Sequence, residues 1–252
     1  MSPGYIREIF LRQPLPKGSY LTALPALAPL MAGKRLAFPV PVTFLVGENG
    51  SGKSTILEAV AVAMGFNAEG GSRNFSFSTR ATHSELGSSL TVSRSRYPRD
   101  GFFLRAESFY NAASYIDVLD EEPGLGNRLI DSYGGRSLHA QSHGESFLAL
   151  VQNRFGGEGL YLLDEPEAAL SPARQLTLLG QIHLLVRAGS QFLIATHSPI
   201  LMAYPGACIY LLSEEGIHQV AYQETEHYLL TKRFLEDPER MLRYLFSQDD
   251  TT

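Results

Sequence analysis

The chain's strongest chemical pattern is the run Gly47-Glu48-Asn49-Gly50-Ser51-Gly52-Lys53-Ser54. It fits the spacing G-x-x-x-x-G-K-[ST], in which glycines let successive backbone N–H groups turn inward around phosphate oxygens. A helix opening at the end of such a loop adds positive potential. In that setting Lys53 reaches the terminal phosphates of a nucleoside triphosphate and the Ser54 hydroxyl ligates Mg²⁺. Thr55 completes the expected nucleotide-binding run of residues 47–55.

A second cluster follows more than a hundred positions later. Leu160-Tyr161-Leu162-Leu163 is wholly apolar and leads directly into Asp164-Glu165-Pro166. A strand buried on both faces reads this way, and its C-terminal end opens into a ligand crevice. Asp164 is therefore expected in the Mg²⁺ shell and Glu165 beside an attacking water. His197, in Thr196-His197-Ser198-Pro199, ends the next apolar run, 192–195. The other histidines, His83, His139, His183, His218 and His227, show no metal-ligand spacing.

These residues need elements to hold them. Residues 43–46 form a β-rich run stopped by Gly47, and residues 54–64 carry apolar side chains at helical spacing (Leu57, Val60, Ala61, Met64) before Gly65. The phosphate-loop pattern thus lies between a strand and a helix, the context that confirms it. Further strands are expected at 5–11, 90–95, 102–105 and 192–195, with a hairpin at 209–212 and 217–220. The residues that follow Leu11, up to Pro41, read as a Pro-rich stretch. Helices are expected at 109–119, around Phe147–Phe155, from the Ser171-Pro172 start to about Arg187, and at 225–235 and 238–246, the last capped by Asp237. Alternating strands and helices predict an α/β fold with a mostly parallel core sheet and an antiparallel N-terminal β part.

Composition sets outer bounds. The 252 residues carry 21 Lys+Arg and 26 Asp+Glu, a net charge of −5, and are 44% hydrophobic. That excludes a disordered or fibrous chain, and one cysteine, Cys208, excludes a disulfide scaffold. The longest uncharged stretch, 188–213, is broken by Gly189, Pro199, Pro205 and Gly206, so no transmembrane segment is expected. A cytoplasmic protein of one domain over residues 1–252 is the expectation. Arg73, Arg80, Arg94, Arg96, Arg99 and Arg105 crowd one segment with interleaved aromatics, a pattern that suits either a nucleic-acid surface or a solvated face.

With the phosphate loop and the acid-ended strand in place, the sequence resembles the ABC-type ATPases. Ser142-His143-Gly144-Glu145 resembles their signature loop, 89 residues after Lys53 and 22 before Asp164. Ala169-Leu170-Ser171 lies where the family's D-loop lies, and His197 stands at its switch histidine, 32 residues after Glu165. Glu145 in place of glutamine, together with Asp164-Glu-Pro-Glu-Ala-Ala-Leu-Ser-Pro, is similar to the RecF, SbcC and SMC branch and its compact bacterial relatives. The resemblance implies a P-loop NTPase head with a small helical subdomain near 107–155. It also implies ATP and Mg²⁺ as ligands, hydrolysis through Glu165, His197 and Lys53, and metal ligation by Ser54 and Asp164. A homodimer would form on ATP binding, with residues 142–145 reaching across in trans. Two positions depart from the family. His143 replaces a glycine, and no glutamine lies between Lys53 and Gln141, which leaves Glu107 as the substitute for the Q-loop residue. The implied role is a DNA-linked or defence-type ATPase with a nucleic-acid or effector partner. The alternatives are the nucleotide-binding subunit of a membrane transporter, or a nucleotide-gated switch with little turnover.

Overall fold

A computed structural model describes residues 4–16, 18–72, 85–106 and 142–247. Its centre is a six-stranded sheet in the order β5-β6-β7-β3-β8-β9. The strands are β3 (Val42–Val46), β5 (Asp100–Arg105), β6 (Gly159–Asp164), β7 (Gln191–Ala195), β8 (Cys208–Ser213) and β9 (Gly216–Gln219). The first five in that order run parallel, and β9 closes the edge as an antiparallel hairpin with β8. The antiparallel N-terminal strands form a sheet of their own: β1 (Ile6–Leu11) is flanked by β2 (Leu36–Ala37) and β4 (Leu90–Arg94).

The period of two along each strand sorts side chains onto two covered faces. On one face Leu45, Leu162 and Leu193 pack with Ile56, Leu57 and Val60 of helix α2 (Lys53–Ala63) and with Ile6 and Ile9 of the small sheet. On the other, Phe44, Tyr161, Leu163, Phe192 and Ile194 pack against Phe147, Leu150 and Val151 of one helix and Leu178 and Ile182 of another. Each fully buried Leu or Phe stabilises by roughly 1.5–3 kcal/mol, so these two layers supply most of the driving force. The sheets are also tied by the buried Gln191 amide, which donates to Ile6 O at 3.0 Å and accepts from Ile6 N–H at 2.9 Å.

The described helices are α1 (Ala28–Met31), α2 (Lys53–Ala63), α3 (Glu85–Ser89), α4 (His143–Arg154), α5 (Pro172–Arg187), α6 (Pro199–Met202), α7 (Glu226–Glu236) and α8 (Pro238–Phe246). The predicted caps hold: Ser171 Oγ accepts from Arg174 N–H and Asp237 from Arg240 N–H. The Pro-rich stretch holds more structure than its composition suggests, with two 3-10 turns, α1 and β2. Proline in the first two positions pre-sets φ for Pro25–Leu27 and Ala28–Met31, and Ser19 caps Tyr20–Ala23, so these short turns form without long apolar periodicity. Helix α3 is likewise absent from the sequence reading, being too short to show a period. The expected helix at 109–119, most of the expected 107–155 subdomain, and Arg73 and Arg80 lie outside the described residues.

Candidate functional site

The phosphate loop joins β3 to α2, as its spacing requires. Gly47, Gly50 and Gly52 take φ of 147°, 80° and 98°, which side-chain-bearing residues rarely adopt. At Gly47 the requirement is also steric: a Cβ there would stand 2.3 Å from Leu212 O. Glu48 and Asn49 are exposed on the rim, while the Ser51 hydroxyl is buried with no hydrogen-bond partner. Thr55 lies in the first turn of α2. Tyr20 is 63% exposed on the 3-10 turn Tyr20–Ala23; the chain just beyond it packs on Gly52 through Leu24 and Ala26.

Lys53 is buried and folds back over the loop, donating to Gly47 O and Glu48 O, both at 2.9 Å. Burial pushes its ammonium below the ordinary lysine value, while Glu165, Asp164 and Glu167 oppose that shift. Beside it, Ser54 Oγ donates to Asp164 Oδ1 at 2.8 Å. The two sequence clusters therefore meet, although β7 separates their strands in the sheet. Arg105, paired with Asp164 in the β5–β6 register, sets its guanidinium 3.5 Å from Asp164 Oδ2 and 3.1 Å from Glu58 Oε2. The sequence placed Arg105 in a basic segment and at the end of an expected strand, without a role at this site; its phase on β5 opposite the end of β6 was the available signal.

The insertion of β7 between β3 and β6 decides where His197 falls. His197 follows the β7 end and its Nε2 lies 3.5 Å from Glu165 Oε1. Its backbone N–H donates to Glu167 Oε1, and its Nδ1 lies 3.0 Å from His227 Nε2. Burial lowers the His197 pKa, with Lys53 adding to the shift and Glu165 opposing it. Burial raises the Glu167 pKa against the bonds it accepts. Glu165 takes φ 49°, ψ 51°, a left-handed conformation unusual for glutamate. Neither Glu167 nor His227 was assigned to this site from the sequence: Glu167 reaches His197 because the 3-10 turn after β6 folds beside the end of β7, and His227 because α7 docks there.

Residues 142–145 sit apart from this cluster. Ser142 caps α4, and Glu145 Oε2 accepts from the Ser142 backbone N–H at 3.0 Å, closing a capping box. Those hydrogen bonds, then the Arg174 charge, hold the Glu145 carboxyl below its ordinary pKa. Arg174 of α5 donates to Ser142 Oγ at 3.2 Å and to Glu145 Oε1 at 3.0 Å. Gly144 is pressed on the turn after β6: a Cβ on it would meet Ala169 O at 2.8 Å. Of His143, only its backbone place at the start of α4 is described, and Glu107 lies outside the described residues.

Residues 31–107 match the family described as "AAA domain", and residues 146–203 match a second, "AAA domain, putative AbiEii toxin, Type IV TA system". The first spans the phosphate loop and α2; the second begins within α4 at residue 146 and spans Asp164, Glu165 and His197. The two matches thus contribute opposite halves of the cluster that Ser54 and Asp164 join, on a sheet whose phosphate-loop and acid-ended strands flank β7. The chain has an α/β P-loop NTPase fold.

Proteins similar to this chain include ABC transporter G family member STR2 of Medicago truncatula, 26% identical over 171 residues. That alignment covers 63% of this chain but only 24% of the relative, so the chain spans about a quarter of that protein's length. Among solved structures, cbiO1 of Clostridium perfringens, part of the cbiONQ ABC transporter complex, is similar at 15% identity. The match covers 84% of this chain and 90% of that one, with a TM-score of 0.47. The SMC head domain of Thermotoga maritima is similar at 16% identity over 86% of this chain and 98% of that one, with a TM-score of 0.41. Among the described residues, no helix of this chain is long and apolar enough to cross a membrane.

Proposed function

We propose that this chain binds ATP with Mg²⁺ at residues 47–55 and hydrolyses it, with Glu165 polarising the attacking water. The observation that carries the reading is the 2.8 Å contact between Ser54 Oγ and Asp164 Oδ1 beside the buried Lys53 ammonium. A hydroxyl and a carboxylate are hard oxygen donors suited to Mg²⁺, which takes few protein ligands and keeps several waters. The groups around them fit a phosphate chain: the Ser51 hydroxyl and His197 Nε2 are buried without hydrogen-bond partners. Bound Mg²⁺ would neutralise charge on the phosphates. Lys53 would turn from its carbonyls to a phosphate oxygen, Glu165 would orient water, and His197 Nε2 would donate to the terminal phosphoryl group.

The anchoring of residues 142–145 to Arg174 and Ala169 supports a two-copy site. Among the described residues Arg174 and Ala169 hold this loop, and Ser142 and Glu145 are exposed. In that arrangement a second copy's 142–145 loop closes over nucleotide held by the first. Glu165→Gln keeps size and hydrogen bonding but removes the charge that activates water. It should lower turnover by about a hundredfold or more, the scale of general-base catalysis, and accumulate an ATP-dependent dimer by light scattering. Lys53→Ala should lose nucleotide affinity and stay monomeric. Wild-type turnover in Glu165→Gln would assign the base elsewhere; no mass increase with ATP in either wild type or Glu165→Gln would remove the two-copy site.

For the role served by hydrolysis, we favour a DNA-linked or defence-type ATPase over a transporter subunit. The support is the exposed turn between β4 and β5, where Arg94 stacks over Tyr97 at 4.7 Å and Arg96 over Tyr5 at 4.7 Å. Such arginines can meet a phosphate backbone while their aromatic partners hold them. Binding of single-stranded or duplex DNA that falls steeply with salt, and that an Arg94, Arg96 and Arg99 triple alanine variant loses, is the expected result. Equal binding by that variant would return the turn to a solvated face.

A further inference from the structure

The switch histidine has a neighbour that the family motifs do not supply. His227 lies in the first turn of α7, with its Nε2 3.0 Å from His197 Nδ1 and the rings tilted 60° to one another. Its position is built in. Thr225, fully buried, caps α7 by accepting from Tyr228 N–H and donates to Tyr222 O at 2.8 Å. Tyr222 in turn donates its hydroxyl proton to Pro199 O at 2.9 Å, two residues beyond His197. The start of α7 is therefore fastened to the same loop that carries His197, and the distance between the imidazoles does not depend on a long flexible side chain.

Proton placement follows from what each nitrogen faces. His197 Nε2 lies 3.5 Å from a carboxylate oxygen of Glu165, an acceptor. A lone pair on that nitrogen would face another lone pair, so Nε2 carries the hydrogen. A neutral His197 then has a bare Nδ1, which accepts, and His227 Nε2–H donates to it. The outer nitrogen of His227, Nδ1, is left as a lone pair, consistent with its having no hydrogen-bond partner. The charged form of His197 is opposed by burial and by Lys53, while Glu165 pulls the other way. Glu167 and Glu226 are the acids beside His227.

We propose that His227 is a positioning residue that locks His197 in the Nε2–H tautomer, the form able to donate to a terminal phosphoryl oxygen. The consequence for turnover rests on the ATPase reading above; the tautomer does not. A ring free to take the Nδ1–H form would present a lone pair to an anionic phosphoryl group and lose the bond it is meant to make. The hydrogen-bond partner of the far nitrogen chooses between these forms, as it does for histidines bound to metals.

The test uses the full chain labelled with ¹⁵N and read by long-range ¹H–¹⁵N correlations of the imidazoles without nucleotide. Wild type should show His197 as the Nε2–H tautomer, and His227→Ala should show a mixture of both. His227→Gln, whose amide N–H can take the place of the ring N–H, should restore the wild-type pattern and controls for loss of packing. In turnover, His227→Ala should lower kcat about tenfold with KM within about twofold, a loss felt in the transition state and of the size of one hydrogen bond. His227→Gln should recover most of it. An Nδ1–H tautomer in wild type, or an unchanged tautomer in His227→Ala, overturns the proposal; so does a shifted tautomer with unchanged kcat. If wild type does not hydrolyse ATP at all, the ATPase reading fails, and the imidazole spectra alone decide the tautomer.

Discussion

Glu165 N–H donates to Ala195 O at 2.9 Å, continuing the β6–β7 ladder one residue past the end of β6 while its own backbone turns left-handed. The turn aims the side chain back toward the end of β7, where His197 waits. A left-handed L-residue costs about 1–2 kcal/mol, and such strain persists only where surrounding structure enforces it.

Glu165→Gly and Glu165→Ala both remove the carboxylate, so comparing them isolates the backbone. The glycine variant should be more stable than the alanine variant by about 1 kcal/mol, because only alanine retains the Cβ penalty. Paired urea melts measure this, and equal midpoints would place Glu165 outside the left-handed region in solution.

The phosphate-loop glycines separate in the same way. Gly47→Ala meets Leu212 O at 2.3 Å, a backbone atom that cannot move aside, at a φ of 147°. Gly50→Ala finds open space at a φ of 80°. Gly50→Ala should cost about 1–2 kcal/mol of stability. Gly47→Ala should cost more and abolish binding of a fluorescent ATP analogue, since β8 and the loop must part.

Arg174 braces the 142–145 loop from α5. Arg174→Ala should weaken ATP-dependent association about two- to fivefold, the range of a solvent-exposed ion pair. Nucleotide affinity of the single subunit should stay unchanged, because Arg174 contacts no phosphate-loop residue among those described. Sedimentation with and without ATP, alongside nucleotide titration, separates the two effects.

The histidine pair predicts a pH dependence of stability. Burial lowers both His197 and His227 below the ordinary value of 6.5, with Lys53 adding at His197 and His197 adding at His227. The unfolded chain then binds protons that the folded chain does not. Their contribution is present above pH 6.5 and is lost as pH falls from there through the lowered native values. Melting temperature should therefore fall on the acid side of 6.5, and the fall should be shallower in a His197→Asn, His227→Asn double variant. Parallel slopes would assign the acid sensitivity to other groups.

Much of the fold is legible in the amino-acid sequence. A phosphate loop is written in eight consecutive residues because its shape depends on local backbone freedom and on one lysine at fixed spacing. The ends of β6 and β7 were legible for a similar reason: a strand buried on both faces is uniformly apolar, so Asp164 and His197 stand out where it stops. Motif order along the chain was enough to read the fold. The order of strands across the sheet was not in those signals, since pairing between segments far apart in sequence is chosen by packing. That order puts β7 between β3 and β6, and so brings His197 beside Glu165. The bond from Ser54 to Asp164, the brace from Arg174 to Glu145 and the contact of His227 with His197 likewise join residues whose local surroundings say nothing of each other. The left-handed turn at Glu165 runs against its own intrinsic preference, so it exists only because β7 and the turn that follows hold it there.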